Sequence, residues 1–420
     1  MEPNATNCRK TYNGTPRLLT WAYLGLTVFF LGWGPGGCGG GGDAAPPPST
    51  SNPGVGGEPA TSSASLKTVV VASGLSYPWG MTFLPDGTML VAQKTGQMKI
   101  ITTQGVTQAT VTGLPAVDSV GQGGLLDVQL DPDYATTQWV YWSYAEPGTG
   151  SEAGLTGTAV ARGKIIGGTM TQIEVLFRQS PKTLGEGHFG SRLAFARDKT
   201  LFVTMGERQK DDPANPGLGN AQNLTNHLGK IVRINRDGSI PNNNPNFGTS
   251  GAQPEIYSYG HRNVQGAAIH PLTGDLWVSE HGPQGGDEIN LILPGRNYGW
   301  PLRSYGCPYG APIGDACRVG GGTHAPDFEE PLTYWAPIST APSGMTFYTG
   351  TRYPGWAGNL FVGSLAGESL WRLTLNGNHV TDKEALLTNT IGRIRHVVQG
   401  PDGWLYLLTD DGFIYRLETT

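Results

Sequence analysis

Residues 66–420 predict an all-β fold, a six-bladed β-propeller with four-stranded antiparallel blades. The chain has 420 residues with 64 glycines, 31 prolines, 11 tryptophans and 16 tyrosines, and only 15% are charged. That composition suits many short strands joined by turns. One phrase also recurs along the chain: a period-two apolar alternation, a Pro-Asp or Asp-Gly turn, and a second run of β-branched and aromatic residues.

The phrase occurs six times, and its copies begin at Trp79, Gly124, Ser191, Gln265, Ser343 and Ile394. Further short strands such as GQMKII and KIVRIN follow most copies, which gives roughly four strands per unit, as in a propeller blade. The copies lie about 45 to 80 residues apart, so insertions are expected to gather at one face and wall a pocket there. A pair of β-sandwiches built from similar hairpins is the alternative.

Residues 1–38 predict an export signal or anchor. Basic residues precede the apolar segment 18–33, which is the pattern of a secretory signal or of a short membrane anchor. Cys38 follows small residues, as the lipidated cysteine of a bacterial lipoprotein does, with an uncleaved anchor or simple secretion as alternatives. We therefore expect an exported protein of the periplasm or cell envelope, tethered to the membrane if Cys38 is lipidated.

Residues 39–65 predict a flexible linker, because this Gly/Pro/Ser-rich segment has almost nothing to bury. The folded domain is expected to span 66–420. Its cysteines, Cys307 and Cys317, are ten residues apart in CPYGAPIGDAC, and an oxidising compartment would let them form a disulfide. A formal net charge of −5 without a Lys/Arg run argues against nucleic acid as a partner.

Four arginines lie beside glycine or asparagine in predicted loops or strand edges: Arg192, Arg262, Arg393 and Arg395. A guanidinium is a planar fork that pairs bidentately with carboxylates, so a ligand with several carboxylates would explain the set. For any one of them, a surface charge or a structural ion pair is the plainer explanation. Arg393 and Arg395 are two residues apart on a predicted strand and should therefore share a face.

His188 opens the third repeat in GEGHFGSR, where its imidazole would project into the mouth of the channel. An imidazole there could act as a general base at neutral pH, and Glu207 could orient it. A solvated loop histidine is the alternative.

The stretch EHGPQGGDEIN predicts a loop with the ligand chemistry of calcium. Gly282 and Pro283 would present backbone carbonyls, and Asp287 and Glu288 would add anionic oxygens. Gly282 is expected to take backbone angles that are closed to β-branched residues. A tight turn with a solvated acid pair would explain the stretch nearly as well.

Six motifs, taken in order, resemble those of the soluble quinoprotein glucose dehydrogenases. They resemble more closely the bacterial aldose sugar dehydrogenases of the same glucose/sorbosone dehydrogenase family. The resemblance covers roughly residues 70 to 418. The motifs are GQGGLLDVQLDPDY, GHFGSRLAF, GKIVRINRDGSIPNNNP, YGHRNVQG, SEHGPQGGDEINLILPGRNYGWP and RIRHVVQGPDGWLYLLTD.

The resemblance implies a six-bladed propeller that binds pyrroloquinoline quinone (PQQ) through calcium. It implies oxidation of an aldose C1 hydroxyl to the lactone, or of a related alcohol, with electrons passed to an external quinone or cytochrome. His188 would be the general base and Glu207 its acidic partner, and the carbonyls of Gly282 and Pro283 would bind calcium. The residues that match PQQ-holding positions are Gln122, Arg262, Asn263, Arg393 and Arg395.

One position departs from the family pattern. Where the glucose dehydrogenases have a lysine after Ser-Leu in the fifth blade, this chain has Ala366. The change removes a cation beside an anionic cofactor, worth about 1–3 kcal/mol for a charge-assisted hydrogen bond. Two other functions are weighed against a dehydrogenase: a calcium-dependent, lactonase-like hydrolase, which would not need the arginines, and a non-catalytic binding propeller.

Overall fold

A computed structural model describes residues 65–215 and 219–420. The predicted export signal, Cys38 and all of the predicted linker except Ser65 lie outside these residues. Within them, no helix is long and apolar enough to cross a membrane.

Twenty-four strands account for the regular structure of the described chain, and the helices are single short turns. Those turns are α1 (Tyr134–Thr137) and the 3-10 segments Gly150–Glu152, Asp315–Cys317 and Val319–Gly321. The strands are β1 (Leu66–Ala72), β2 (Pro78–Phe83), β3 (Met89–Gln93), β4 (Gln97–Ile101), β5 (Thr107–Val111), β6 (Leu125–Leu130), β7 (Val140–Pro147), β8 (Thr156–Ile166), β9 (Thr169–Arg178), β10 (Leu193–Phe195), β11 (Leu201–Thr204), β12 (Lys230–Ile234), β13 (Ile256–Tyr259), β14 (Val264–Ile269), β15 (Leu276–Glu280), β16 (Asp287–Ile292), β17 (Thr333–Trp335), β18 (Pro342–Phe347), β19 (Leu360–Ser364), β20 (Leu370–Asn376), β21 (His379–Leu386), β22 (Ile394–Gln399), β23 (Leu405–Thr409) and β24 (Ile414–Thr419).

These strands form six separate four-stranded antiparallel sheets, and the predicted six-bladed propeller is confirmed. Five blades take four consecutive strands each, in the orders β2-β3-β4-β5, β6-β7-β8-β9, β10-β11-β12-β13, β14-β15-β16-β17 and β18-β19-β20-β21. Each predicted phrase corresponds to the first two strands of a blade. The period-two alternation therefore marked the right hairpins.

The sixth blade joins the two ends of the domain. Its order is β1-β24-β23-β22, so the N-terminal strand pairs antiparallel with the C-terminal strand, with Leu66 opposite Thr419. This pairing closes the ring, because the two ends of the domain are held together by the hydrogen bonds of one blade. Strand β1 lies before the first copy of the repeated phrase, so the sequence pattern does not assign it to that blade.

The apolar core is divided into layers between neighbouring blades. Between the second and third blades, Tyr141, Val160 and Phe177 pack against Leu201 and Val232. Comparable clusters fill the other five blade junctions. Each blade thus buries both of its faces, which fixes the six inner strands around a central channel.

Candidate active site

The predicted site residues come together at one end of that channel. Most of them lie in the connections that enter the first strand of a blade or leave its second strand, and Arg395 lies at the start of β22. His188 precedes β10 and Glu207 follows β11, whereas Arg262 precedes β14 and Gly282 follows β15. These two kinds of connection lie on the same side of an antiparallel blade, so residues far apart in sequence meet there.

His188 and Glu207 form a buried pair. The imidazole Nδ1 lies 2.5 Å from Glu207 Oε1, and the two side chains are 7% and 1% exposed. The other carboxylate oxygen accepts backbone N–H groups of Lys210 at 2.5 Å and Asp211 at 3.0 Å. Because Glu207 is fixed by these donors, it holds the imidazole in one orientation.

The protonation state of His188 follows from this geometry. Burial lowers its pKa, and the nearby Arg262 guanidinium lowers it further, while the hydrogen bond to Glu207 opposes the shift. The side chain is therefore neutral at pH 7, with its Nδ1 proton donated to Glu207. That leaves Nε2 as the proton acceptor, which is the form a general base requires.

The backbone around His188 is held in an unusual conformation. His188 has a φ of 48°, in the left-handed region that non-glycine residues seldom adopt. Its N–H donates to Gln122 Oε1 at 2.8 Å. Such strain persists only where the surroundings over-determine it and is concentrated at functional sites.

Arg208, which is not among the site residues predicted from the sequence, supplies much of that constraint. Its fully buried guanidinium donates to the carbonyls of Gly187 at 2.9 Å and Thr156 at 2.8 Å. It also stacks on Phe189, with 3.7 Å between the guanidinium carbon and the ring centroid. Arg208 therefore acts as a positioning residue for the segment that carries His188.

A cavity of about 510 Å³ opens beside this pair. Its lining comes from five connections and contains His188, Glu207, Gln209, Asp211, Asp212, Pro213, Ala214, Arg262, Pro283, Trp300, Pro308 and Tyr309. We call it the histidine cavity. Its volume suits a small molecule.

A second cavity of about 110 Å³ contains the other predicted arginines. It is lined by Trp79, Lys94, Gln122, Leu126, Phe189, Gly190, Gln265, Leu365, Arg393 and Arg395. We call it the cationic cavity.

Arg393 and Arg395 share one carboxylate, and the expectation that they face the same side is confirmed. Arg393 Nε lies 2.9 Å from Asp410 Oδ2, and Arg395 donates to both Asp410 oxygens at 2.8 and 3.0 Å. These guanidinium groups hold the pKa of Asp410 below its usual value despite burial. Neither Asp410 nor Lys94 was singled out from the sequence.

Arg262 and Asn263 lie between the residues of the two cavities. Arg262 donates to the His281 carbonyl and to the Tyr309 hydroxyl, each at 3.2 Å. Asn263 is 1% exposed, and its Oδ1 accepts the Gly190 N–H at 3.2 Å and the Gln265 amide at 3.1 Å. These bonds connect the wall of the histidine cavity to that of the cationic cavity.

Arg192 differs from the other three arginines, because it lines neither the histidine cavity nor the cationic cavity. Its guanidinium is 1% exposed and lies 3.0 Å from Asp127, which is itself fully buried. It also stacks on Trp79, 4.1 Å from the ring centroid. The plainer explanation, a structural ion pair, applies, since Asp127 neutralises the arginine inside the protein.

The segment 281–286 forms the predicted carbonyl loop. Among the described residues, no backbone N–H donates to the Gly282 or Pro283 carbonyl. Nor do three His, Cys, Asp or Glu side chains cluster closely enough there or elsewhere in the described chain to hold a metal ion. The part of the calcium prediction that fits this loop is therefore the pair of backbone oxygens.

Asp287 has a different role from the one expected of it. Its Oδ1 accepts the Gly282 N–H at 2.9 Å, and its Oδ2 accepts the N–H groups of Thr340 and Ala341, each at 2.7 Å. With both oxygens occupied, Asp287 fixes the shape of the loop. Glu288 is also buried instead of solvated.

Gly282 does not have a positive φ, so backbone angles do not explain the need for glycine at this position. The reason is that the loop leaves no room for a side chain. A Cβ there would lie 2.2 Å from the Gly285 carbonyl oxygen and 2.4 Å from that of Gly286. The expected need for glycine holds at this position, but the physical reason is close packing of the loop on itself.

The disulfide between Cys307 and Cys317 is present, with the Cα atoms 5.1 Å apart. Its loop packs against the carbonyl loop, because Gln284 and Cys307 exchange backbone hydrogen bonds of 3.0 Å. Tyr309, within the disulfide loop, is 73% exposed and lines the histidine cavity. The cross-link therefore braces one wall of that cavity.

Comparison with known proteins agrees with the family resemblance seen in the sequence motifs. The family model described as Glucose / Sorbosone dehydrogenase matches residues 75–416. Aldose sugar dehydrogenase YliI of Escherichia coli (strain K12) is 40% identical over 353 residues, covering 83% of this chain and 91% of the relative.

Two solved structures share the fold over nearly their whole length. The soluble aldose sugar dehydrogenase (Asd) from Escherichia coli in the apo-form is 37% identical, with a TM-score of 0.77, over 85% of this chain and 100% of that one. The PQQ-bound form of aldose sugar dehydrogenase (Adh) from Streptomyces coelicolor is 31% identical, with a TM-score of 0.67, over 85% of this chain and 99% of that one.

Proposed function

This chain belongs to the glucose/sorbosone dehydrogenase family, whose relatives are sugar oxidoreductases, and we propose that it uses PQQ and calcium to oxidise the C1 hydroxyl of aldose sugars. The observation that carries the proposal is the buried His188–Glu207 pair facing the histidine cavity, with the cationic cavity close by. The first supplies a base for a hydroxyl proton. The second supplies the positive charge that an anionic cofactor needs.

The residues present fit this cofactor. PQQ carries three carboxylates, and Arg393 and Arg395 are planar forks that bind such groups. Gln122 lines the same cavity, and Arg262 and Asn263 would hold the cofactor between the two cavities. The carbonyls of Gly282 and Pro283 are hard oxygen ligands of the kind calcium prefers.

When bound, PQQ with its calcium would supply an ortho-quinone that accepts the hydride from the sugar C1. The protein's part is to move the proton. His188 Nε2 takes the proton of the C1 hydroxyl as the C1–O bond becomes a carbonyl, so a hemiacetal becomes a lactone. Glu207 stabilises the imidazolium that forms, because its carboxylate already accepts the Nδ1 proton. An external quinone or cytochrome would accept the two electrons.

The cellular location belongs to the same proposal. We take the protein to be exported to the periplasm or cell envelope and tethered through Cys38. The Cys307–Cys317 disulfide supports export, because disulfides persist in oxidising compartments. Mass spectrometry of the membrane fraction should find Cys38 lipidated. A soluble mature chain without that residue would contradict the tether.

Reconstitution tests the catalytic proposal. Purified protein freed of metal and cofactor should gain a bound-quinone absorption spectrum on addition of PQQ and calcium, and an aldose should bleach that spectrum. Calcium alone should restore nothing. Lactone hydrolysis that recovers with calcium alone would instead establish the hydrolase, because a hydrolase needs no quinone.

A further inference from the structure

The cationic cavity holds more positive charge than its own residues neutralise. Lys94, Arg393 and Arg395 line it, and Asp410 is the carboxylate that pairs with both arginines. Both oxygens of Asp410 are occupied by guanidinium N–H groups. Three cations thus face one anion, which leaves a surplus of two positive charges.

Lys94 is the cation of this cavity that forms no hydrogen bond with Asp410. Its ammonium donates to the Gly121 carbonyl at 2.5 Å, and no ion pair with it is found in the described chain. A carbonyl is neutral, so this hydrogen bond supplies no counter-charge. Burial and the nearby Arg395 guanidinium lower the pKa of Lys94 and outweigh the opposing charge of Asp410, so the surroundings on balance disfavour a charge there.

Backbone contacts fix the position of Lys94 at the cavity wall. Lys94 comes directly after β3, and its N–H donates to the Tyr77 carbonyl at 3.0 Å. Its own carbonyl accepts the Leu125 N–H, and a Cβ on Gly124 would come within 2.2 Å of that oxygen. The position is therefore fixed where the first blade meets the second.

We propose that Lys94 binds a carboxylate of the cofactor, as the third cation of the site beside Arg393 and Arg395. The inference rests on the proposed function and deepens it by assigning a further binding residue. Leu365, which directly follows β19 of the fifth blade, also lines the cavity, and its neighbour Ala366 carries no charge. The third cation of this chain therefore comes from the first blade.

The test is direct binding of PQQ to the full chain, measured by quenching of tryptophan fluorescence, since Trp79 lines the same cavity. Lys94→Met should raise the dissociation constant ten- to a hundredfold, the range for a hydrogen bond between charged groups. Lys94→Arg, which keeps the charge, should stay within a few fold of the wild type. Lys67→Met, at an exposed lysine on β1, is the matched control and should bind as the wild type does.

A second ligand separates charge from structure. Lys94 also holds the Gly121 carbonyl, so Lys94→Met could weaken binding by loosening Gln122. PQQ trimethyl ester has no carboxylate charge, and Lys94→Met should bind it as tightly as the wild type does. An equal loss for PQQ and its ester would overturn the proposal, because the lysine would then act only on the loop.

The remaining outcomes distinguish this inference from the proposed function. If Arg395→Ala weakens PQQ binding while Lys94→Met does not, the role of Lys94 is refuted and the dehydrogenase proposal stands. If the wild-type chain binds no PQQ even with calcium present, the proposed function is wrong and the role of Lys94 falls with it.

Discussion

The channel has two ends built on the same six inner strands. At one end, strands from all six blades line a cavity of about 420 Å³, with Met81, Leu130, Leu193, Ala267, Met345 and Val397 among its lining residues. At the other end, Lys94, Arg393 and the His188–Glu207 pair lie in connections between strands, and Arg395 lies beside them at the start of β22.

The difference shows how repetition and function are divided in this fold. The first end is made by the repeated strands themselves, so each blade contributes a similar share. The second end is made by connections that differ from blade to blade, which is where functional residues are usually found. Substitutions at the two ends should therefore separate stability from chemistry.

The largest effect is expected at the end that carries chemistry. His188→Ala should lower kcat about a hundred- to ten-thousandfold, because it removes the general base. PQQ binding should change little, since the cofactor's carboxylates would be held by the cationic cavity. Turnover of the reconstituted variant and its PQQ dissociation constant check this. Unchanged turnover would exclude His188 from the mechanism.

At the opposite end of the channel, a substitution should lower stability and leave kcat unchanged. Met345 is 3% exposed and packs with Trp277 and Leu360 between the fourth and fifth blades. Met345→Ala should lower the free energy of unfolding by about 2–5 kcal/mol, because it leaves a cavity in the core. The folded fraction should keep its kcat. Denaturant titration together with turnover at low temperature measures both, and a loss of kcat without a loss of stability would break the distinction.

The same division explains what the sequence could predict. The six hairpins were identified because inner strands alternate with period two and end in Pro-Asp or Asp-Gly turns. Strand β1 was not assigned to a blade, because its partner β24 lies at the far end of the domain. Local patterns carry no information about such a pairing.

The site was predicted in part and for similar reasons. His188, Glu207, Arg393 and Arg395 were found from motifs, and the structure brings each pair together. For Arg192 the sequence left both a ligand contact and a structural ion pair open, because it does not reveal that Asp127, from another blade, faces the arginine inside the protein. Asp410 and Lys94 were missed, because the local sequence does not show that either residue lies near Arg393 and Arg395 in the folded protein.

The smallest expected effect is on the pH dependence of kcat/KM, and it tests the role of the His188–Glu207 pair. Burial lowers the pKa of His188, so the acid limb of kcat/KM should lie below 6.5, the ordinary histidine value. Above that limb the imidazole is neutral and can accept a proton. Activity is lost as the pH falls through the pKa of the free enzyme.

Glu207→Gln tests the cause of that limb. The amide oxygen can still accept the Nδ1 proton, but it brings no negative charge, so the imidazolium loses stabilisation. The pKa of His188 should fall further and the acid limb should move to lower pH, while the plateau of kcat declines because the base is weaker. The pH profile of kcat/KM for both proteins measures the shift. A limb that moved to higher pH would mean that Glu207 does not stabilise the protonated imidazole, and the pair would then be a structural contact.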